Sequence, residues 1–388
     1  MSTVTMPPEM SAVVASARPQ RMAYGDAVRV LGTVAVVVGH ICDMAVFQAD
    51  PNKTLASTTD WWIYNIVDCL ARWAVPIYIM LSGALLLDPA RNESPATFYR
   101  KRLARLGVPL VFWSVFFIYL DVSYNQWHTL KEALQNLVLG QPYPHLHFIY
   151  RIAILYAFTP MFRVFVKHAP RPMLTATVCV LFCVWSADSV INGFMETNVS
   201  AFARFAPFVS FYLGGYLLRE AYCKREHMKW HLLNVIGCGL LVAIISGLLC
   251  MKYGVKGYPS RQMFLLDFLS PLRIPMAISA WILLITLYQK CDPVTGRTGR
   301  VFAWLAPTTL GLYLIHPMFR EILWAPDKLR NPIAQLPHMG FLWNWHGIGE
   351  MLPNVWVRIP VYTLIVYLLS LGTVLLLMKI PLARRIVE

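Results

Sequence analysis

Ten apolar runs, each long enough to cross a bilayer, divide this chain of 388 residues and leave little polypeptide between them. They fall at 24–47, 61–87, 105–123, 146–168, 172–192, 203–221, 231–251, 263–289, 302–323 and 355–379. A hydrocarbon core of roughly 30 Å is crossed by about 20 helical residues, and runs of this length and polarity fit that span. The expectation is an all-α integral membrane protein, a bundle of about ten transmembrane helices. Composition agrees: 57% of the residues are hydrophobic and only 14% are charged, more apolar side chain than a soluble chain of this size can hide. Residues 1–20 lack the charge-then-apolar order of a signal peptide and read as a disordered cytosolic tail. Residues 21–388 then form a single transmembrane domain. No internal repeat and no soluble domain is visible.

A formal net charge of +14 suggests nucleic acid at first sight, but the basic residues are scattered through short loops. The positive-inside rule accounts for them without a nucleic-acid partner. An even number of spans puts both termini on one side. That side carries nineteen of the 34 Lys and Arg residues and the opposite loops carry seven, which assigns both termini to the cytosol. The eight cysteines show no paired spacing and no metal-ligand pattern, so free, mostly buried thiols are expected and no metal site.

The other eight basic residues are arginines within or beside the spans: Arg29, Arg72, Arg151, Arg163, Arg204, Arg273, Arg320 and Arg358. A charge at mid-bilayer costs about 3 kcal/mol on insertion scales and is tolerated where it meets a partner or a polar cavity. Arg163, Arg204 and Arg358 sit near span ends, where snorkelling suffices. Arg29 and Arg72 do not. So many intramembrane cations imply an enclosed polar cavity that accepts an anion.

Arg29 shares the first span with His40. Eleven residues make three helical turns plus roughly 20°, so the two side chains lie on one stripe with a rise of about 16 Å between them. Thr33 and Val36 fall on the same stripe. A neutral imidazole in a desolvated site can take a proton from a hydroxyl, although a lone membrane histidine is about as often a simple helix–helix hydrogen-bond partner. On the loop 99-YRKRLARLGVP-109, Arg102 and Arg105 share a face if that stretch is helical, and two guanidiniums there suit the phosphates of a nucleotide-bearing donor. Anchoring to anionic lipid is the plainer use of such a cluster. The second span, 72-RWAVPIYIMLSGALLL-87, combines Arg72 with a mid-run proline and the Ser82–Gly83 pair, marks of a kinked, closely packed helix beside a cavity. His147, Tyr150 and His316 add polar groups toward the outer parts of their spans, where aromatic-belt behaviour would also explain Tyr150. Asp26, Asp43, Asp68 and Asp267 are acids that could orient an imidazole or pair with an arginine, and the sequence does not choose among them. The outer loop 324–354, with Trp324, Trp343, Trp345 and His346, offers aromatic faces to sugar rings or to the membrane interface.

Taken in order, these landmarks resemble the membrane acyltransferase-3 family. Arg29 and His40 are similar to its first-helix arginine–histidine signature, and 72–87 resembles its "VPlFFxiSGfll" span. Arg102-Leu-Ala-Arg105 fits its RxxR. HLHFIY stands where the family often has HLWFL, with Phe148 in place of the tryptophan. FYLGGYLL at 211–218 and YLIHP at 313–317 match its "FxxGyll" and "YLxH" stretches. The resemblance covers nearly the whole chain and points to the short, membrane-only members. It implies O-acyl transfer, most often of acetyl, from cytosolic acyl-CoA as co-substrate to a hydroxyl of a cell-surface or exported polysaccharide, across the inner membrane, with no permanently bound cofactor. His40 would be the general base or a transient acyl carrier. Arg29, Arg102 and Arg105 would bind acyl-CoA, and Arg72, Ser82, His147, Tyr150 and His316 would line the substrate cavity. Partners implied are membrane lipid, the glycan acceptor and a polysaccharide synthesis or export complex. Two other readings fit the hydropathy: a transporter of an anionic or sugar-linked substrate using the same arginines and His40, and a structural subunit of a glycan-synthesis complex.

Overall fold

The structure is a computed structural model describing residues 24–47, 58–91, 93–120, 129–138, 145–195, 206–221, 223–253, 265–290, 296–324 and 351–388, with Val122 and Tyr143 between them. Every described element is helical. Eight helical stretches are long and apolar enough to cross a membrane, and the shorter apolar helices Phe208–Leu217 and Arg273–Tyr288 occupy the other two expected places. The tail 1–20, Arg204, Trp343, Trp345 and His346 lie outside the described residues, as does the side chain of Trp324.

The first span is α1 (Tyr24–Phe47). The second is two helices, α2 (Thr59–Ala71) and α3 (Ala74–Leu86), broken at Arg72 and Trp73. Pro76 causes the break locally: it has no N–H to bond the carbonyl of Arg72 four residues back. Thr58 caps the start of α2, its hydroxyl accepting from the Trp61 N–H at 3.2 Å. Next come α4 (Pro95–Arg102), a π-helical turn over Leu103–Gly107, and α5 (Val108–Leu120). The short amphipathic α6 (Leu130–Val138) precedes α7 (His147–His168) and α8 (Arg171–Met195). Then follow α9 (Phe208–Leu217), α10 (Arg225–Tyr253) and α11 (Arg273–Lys290). The chain ends with α12 (Arg297–Leu305), a 3₁₀ turn, α13 (Thr309–Trp324), α14 (Val355–Lys379) and α15 (Pro381–Arg384).

Burial separates centre from rim. In α1 and in α2–α3, 61% of the apolar stretch is buried, against 17% in α8. The outer faces of α5, α8, α10 and α14 carry exposed residues such as Val115, Val180, Leu248 and Leu368, as a lipid-facing surface requires. The core gathers α1, α3, α7, α9, α11 and α13 around Ile77, Met80, Phe211, Tyr212, Trp281 and Leu314.

The tightest contact is between α3 and α9. A Cβ added to Gly83 would stand 1.8 Å from the Tyr212 carbonyl oxygen, and one added to Gly215 would stand 2.0 Å from that of Met80. Without a hydrophobic drive between helices in lipid, close backbone approach at small residues holds such a pair together. Seven cysteines are described, none in a disulfide, and five are buried as expected; Cys179 and Cys183 are exposed on α8, which lies at the rim. Arg163 and Arg358 do not merely snorkel. Arg163 donates to the Leu86 carbonyl at 2.6 Å, and Arg358 donates to the carbonyls of Leu352 and Pro353.

Candidate active site

A cavity and a neighbouring cluster of imidazoles, linked by aromatic rings, contain most of the expected functional residues. The cavity has a volume of about 170 Å³. Arg29, Arg102 and Arg105 line it together with Ser82, and Leu81, Leu85, Leu86, Leu106, Ile149 and Ile152 give it apolar walls. Arg102 closes α4 and Arg105 belongs to the π turn that follows; the wider turn lets both arginines reach one cavity. Arg29 pairs with Asp26 at 3.0 Å, one turn earlier on α1. Arg102 lies over the rings of Phe98 and Tyr156, and Arg163 also lies over Phe98, 4.8 Å from its centroid. Glu93 is the carboxylate set against this group, taking Lys101 at 2.8 Å and Arg163 at 3.6 Å. The hydrogen bond from Lys101, helped by the Arg163 charge, holds the Glu93 carboxyl below the ordinary carboxylate range.

Tyr78, Phe148 and Tyr313 also line the cavity. Tyr78 and Phe148 have centroids 6.1 Å apart, and Phe148 and Tyr313 5.6 Å. The Tyr78 hydroxyl donates to the Arg29 carbonyl at 2.7 Å, where Thr33 also donates at 2.8 Å. That arrangement fixes the ring against α1, one turn beyond Arg29. Phe148, in the place where the resembling family often has tryptophan, is a wall of the cavity.

Next to these rings lies the cluster of imidazoles. His40 and His316 have ring centroids 5.2 Å apart, and His145 is 6.0 Å from His316. Tyr313 touches both His145 and His316, at 5.7 and 5.9 Å. His40 Nδ1 donates to Asp43 Oδ2 at 3.0 Å, one helical turn on. Arg320 reaches the same carboxylate at 3.4 Å, the His40 carbonyl at 3.2 Å and Glu321 at 3.2 Å. Tyr143 donates to Glu321, and Tyr362 donates to the Arg320 carbonyl. A helix-borne His–Asp pair is therefore clamped by an arginine from α13. Such a pair orients an imidazole with its other nitrogen bare and basic. Among the described residues no group of His, Cys, Asp or Glu converges as metal ligands, these three imidazoles included.

Of the residues expected from sequence, Arg29, Arg102, Arg105 and Ser82 meet at the cavity, while His40 and His316 meet at the imidazole cluster. Three fall elsewhere. Arg72 closes α2 in an ion pair with Asp68 at 2.6 Å and does not line the cavity. The Tyr150 hydroxyl donates to Ser114 at 2.9 Å, on the α5 side of α7. His147 opens α7, but the imidazole beside His316 belongs to His145, two residues earlier in the turn before the helix. His145, Arg320, Glu321, Tyr78 and Tyr313 were not singled out as site residues by the sequence reading. The Arg320 charge in a span was the available signal, and its partner was the missing piece.

A family model described as an acyltransferase domain, of the acyltransferase-3 type, matches residues 22–378. No curated protein and no solved structure matches the chain.

Proposed function

Because the chain belongs to the membrane acyltransferase-3 family, we propose that its cavity and imidazole cluster carry an acyl group, acetyl in the first instance, from cytosolic acyl-CoA to a hydroxyl of an exported or cell-surface glycan. Membership makes it a membrane acyltransferase of the non-aminoacyl type, which favours this reading over a transporter. The observation that carries the finer reading is the His40–Asp43 pair set behind a cavity whose lining includes three arginines.

The basic cavity end faces the cytosol, following the bias of Lys and Arg toward that side. Arg29, Arg102 and Arg105 hold the phosphates of the donor there, where fork-shaped guanidiniums suit phosphate oxygens. The apolar walls take the pantetheine arm, and the thioester reaches the aromatic lining toward His40. His40 Nε2 accepts the proton of the acceptor hydroxyl while its oxygen attacks the thioester carbonyl. The carbon–sulfur bond then breaks, and the leaving thiolate takes that proton back as the free CoA thiol. Asp43 holds the proton on Nδ1 throughout and stabilises the imidazolium, a contribution of about 10²–10⁴-fold for positioned base catalysis. The enzyme works in the inner membrane with both termini in the cytosol. The acceptor approaches from the outer side, alone or delivered by a polysaccharide synthesis or export complex.

The test is acetyl transfer by the purified protein to glycan from cells that lack it. His40→Ala should abolish transfer while the protein still folds and elutes as wild type. Acetyl-dephospho-CoA should show a raised KM, and the difference should shrink in Arg102→Gln and Arg105→Gln. A folded, fully active His40→Ala variant would end this assignment.

A further inference from the structure

Buried imidazole nitrogens must find partners, and in this centre several have none. His316 is fully buried, its Nδ1 lies 3.1 Å from the Leu312 carbonyl, and its Nε2 has no partner. A carbonyl oxygen only accepts, so Nδ1 carries the hydrogen and, in the neutral ring, Nε2 is a bare lone pair. The same reasoning applied to His40, whose Nδ1 faces a carboxylate, leaves its Nε2 as a second bare lone pair. His145 is 2% exposed and neither of its nitrogens has a partner, so its ring brings one unsatisfied N–H and one unsatisfied lone pair to the same place. A buried polar group without a partner is costly. Three such nitrogens, His316 Nε2 and both of His145, stand beside the partly exposed His40 Nε2, and together they mark a polar site.

The pattern of donors and acceptors says what fits. Two acceptors, His40 Nε2 and His316 Nε2, on rings 5.2 Å apart centre to centre, call for an occupant with two O–H donors. The N–H of His145, beside His316, calls for an oxygen that also accepts. A single hydroxyl satisfies one imidazole only. An anion offers no donor at all. We propose that the His40–His316–His145 cluster is an acceptor subsite for two adjacent sugar hydroxyls, a vicinal diol, and that the enzyme acylates one of them; the inference rests on the acyltransfer reading above. The reacting hydroxyl gives its proton to His40. Its neighbour donates to His316 Nε2 and accepts from His145, which holds the sugar ring in register without itself reacting.

Mapping the ester on the native product tests the idea directly. Glycan from cells with and without the protein is compared by nuclear magnetic resonance, at a mildly acidic pH that prevents acyl migration. An ester on a ring carbon whose neighbour bears a free hydroxyl is the expected result. An ester on the exocyclic primary hydroxyl of a hexopyranose, whose adjacent carbon carries the ring oxygen and no hydroxyl, overturns the proposal. With purified protein and glycan from cells lacking it, His316→Phe should raise the KM for glycan at least tenfold and leave the KM for acetyl-CoA within twofold. His316→Gln, whose amide oxygen can stand near the lost Nε2, should recover most of the difference. A loss that falls equally on both substrates, or no loss, counts against the subsite. If the wild-type protein transfers no acyl group to any glycan, the acyltransfer reading itself has failed, and that outcome is read separately from the ester position.

Discussion

A single carboxylate decides what His40 can do. Asp43 fixes the imidazole through Nδ1, and Arg320 fixes Asp43 from another helix. Asp43→Asn should therefore lower kcat roughly 10²-fold or more while leaving the KM for acyl-CoA nearly unchanged, since the amide can turn its NH₂ toward Nδ1 and stabilise the wrong tautomer. Steady-state kinetics on the purified variant separate these two effects. The charged stripe of Arg29 and His40 was legible in the sequence because a polar group in a membrane span is too costly to be idle. Its partners were not. Asp26, Asp43, Asp68 and Asp267 were equal candidates on paper, and the structure shows that each cation takes the acid one helical turn away: Asp26 serves Arg29, Asp43 serves His40 and Asp68 serves Arg72. His145, rather than the expected His147, lies beside His316 for a local reason. The two are separated by Leu146 at the entry to α7, and the turn before the helix, invisible in a hydropathy pattern, carries His145 inward.

Between helices, the contact of α3 with α9 is unforgiving. Gly83→Ala and Gly215→Ala each drive a methyl into a neighbouring carbonyl, so each should lower the melting temperature in detergent, with a stability loss of about 1–3 kcal/mol or more. Gly214→Ala is the control: its methyl would meet Val178 and Phe182 at an ordinary 3.7 Å and should be tolerated. Equal melting of all three variants would remove the close-packing account. The Ser82–Gly83 and FYLGGYLL stretches could be read as packing signals separately, but that they pack on each other needed three dimensions. The break at Arg72 was foreshadowed by Pro76; the π turn at 103–107 was not, because LARLG carries no signal that distinguishes a π turn from an α turn. In the loop joining α3 to α4, the carboxyl of Glu93 has a lowered pKa in the folded protein. Its contribution is therefore present at neutral pH and disappears as pH falls through that lowered value. Glu93→Gln should accordingly be less stable than wild type at pH 7, and the gap should close as pH falls below the ordinary carboxylate range in thermal melts.

For the molecule as a whole, the helical membrane bundle was readable from length and hydropathy alone; among the described residues eight helices are long and apolar enough to span, and two of the expected places hold short ones. Which helices are central was not readable, because a span facing lipid and a span facing protein are equally apolar. The basic cavity predicts salt sensitivity. Raising ionic strength from about 0.05 to 0.5 M should increase the KM for acetyl-CoA several-fold, with little change in kcat, as screening shortens the reach of the arginines. A KM indifferent to salt would argue that the phosphates bind elsewhere. The rings of Tyr78, Phe148 and Tyr313, standing between the arginine-lined cavity and the imidazoles, have a consequence for the cell's energy supply. A passage open to water on both sides, with three histidines along it, would conduct protons and discharge the membrane. On the proposed reading, an aromatic septum would let a thin acyl thioester reach the centre while keeping water columns from the two faces apart, so that the ion gradient survived each round of transfer. Phe148→Gly in proteoliposomes should turn the enzyme into a proton leak, seen as collapse of an imposed pH gradient that the wild-type protein maintains.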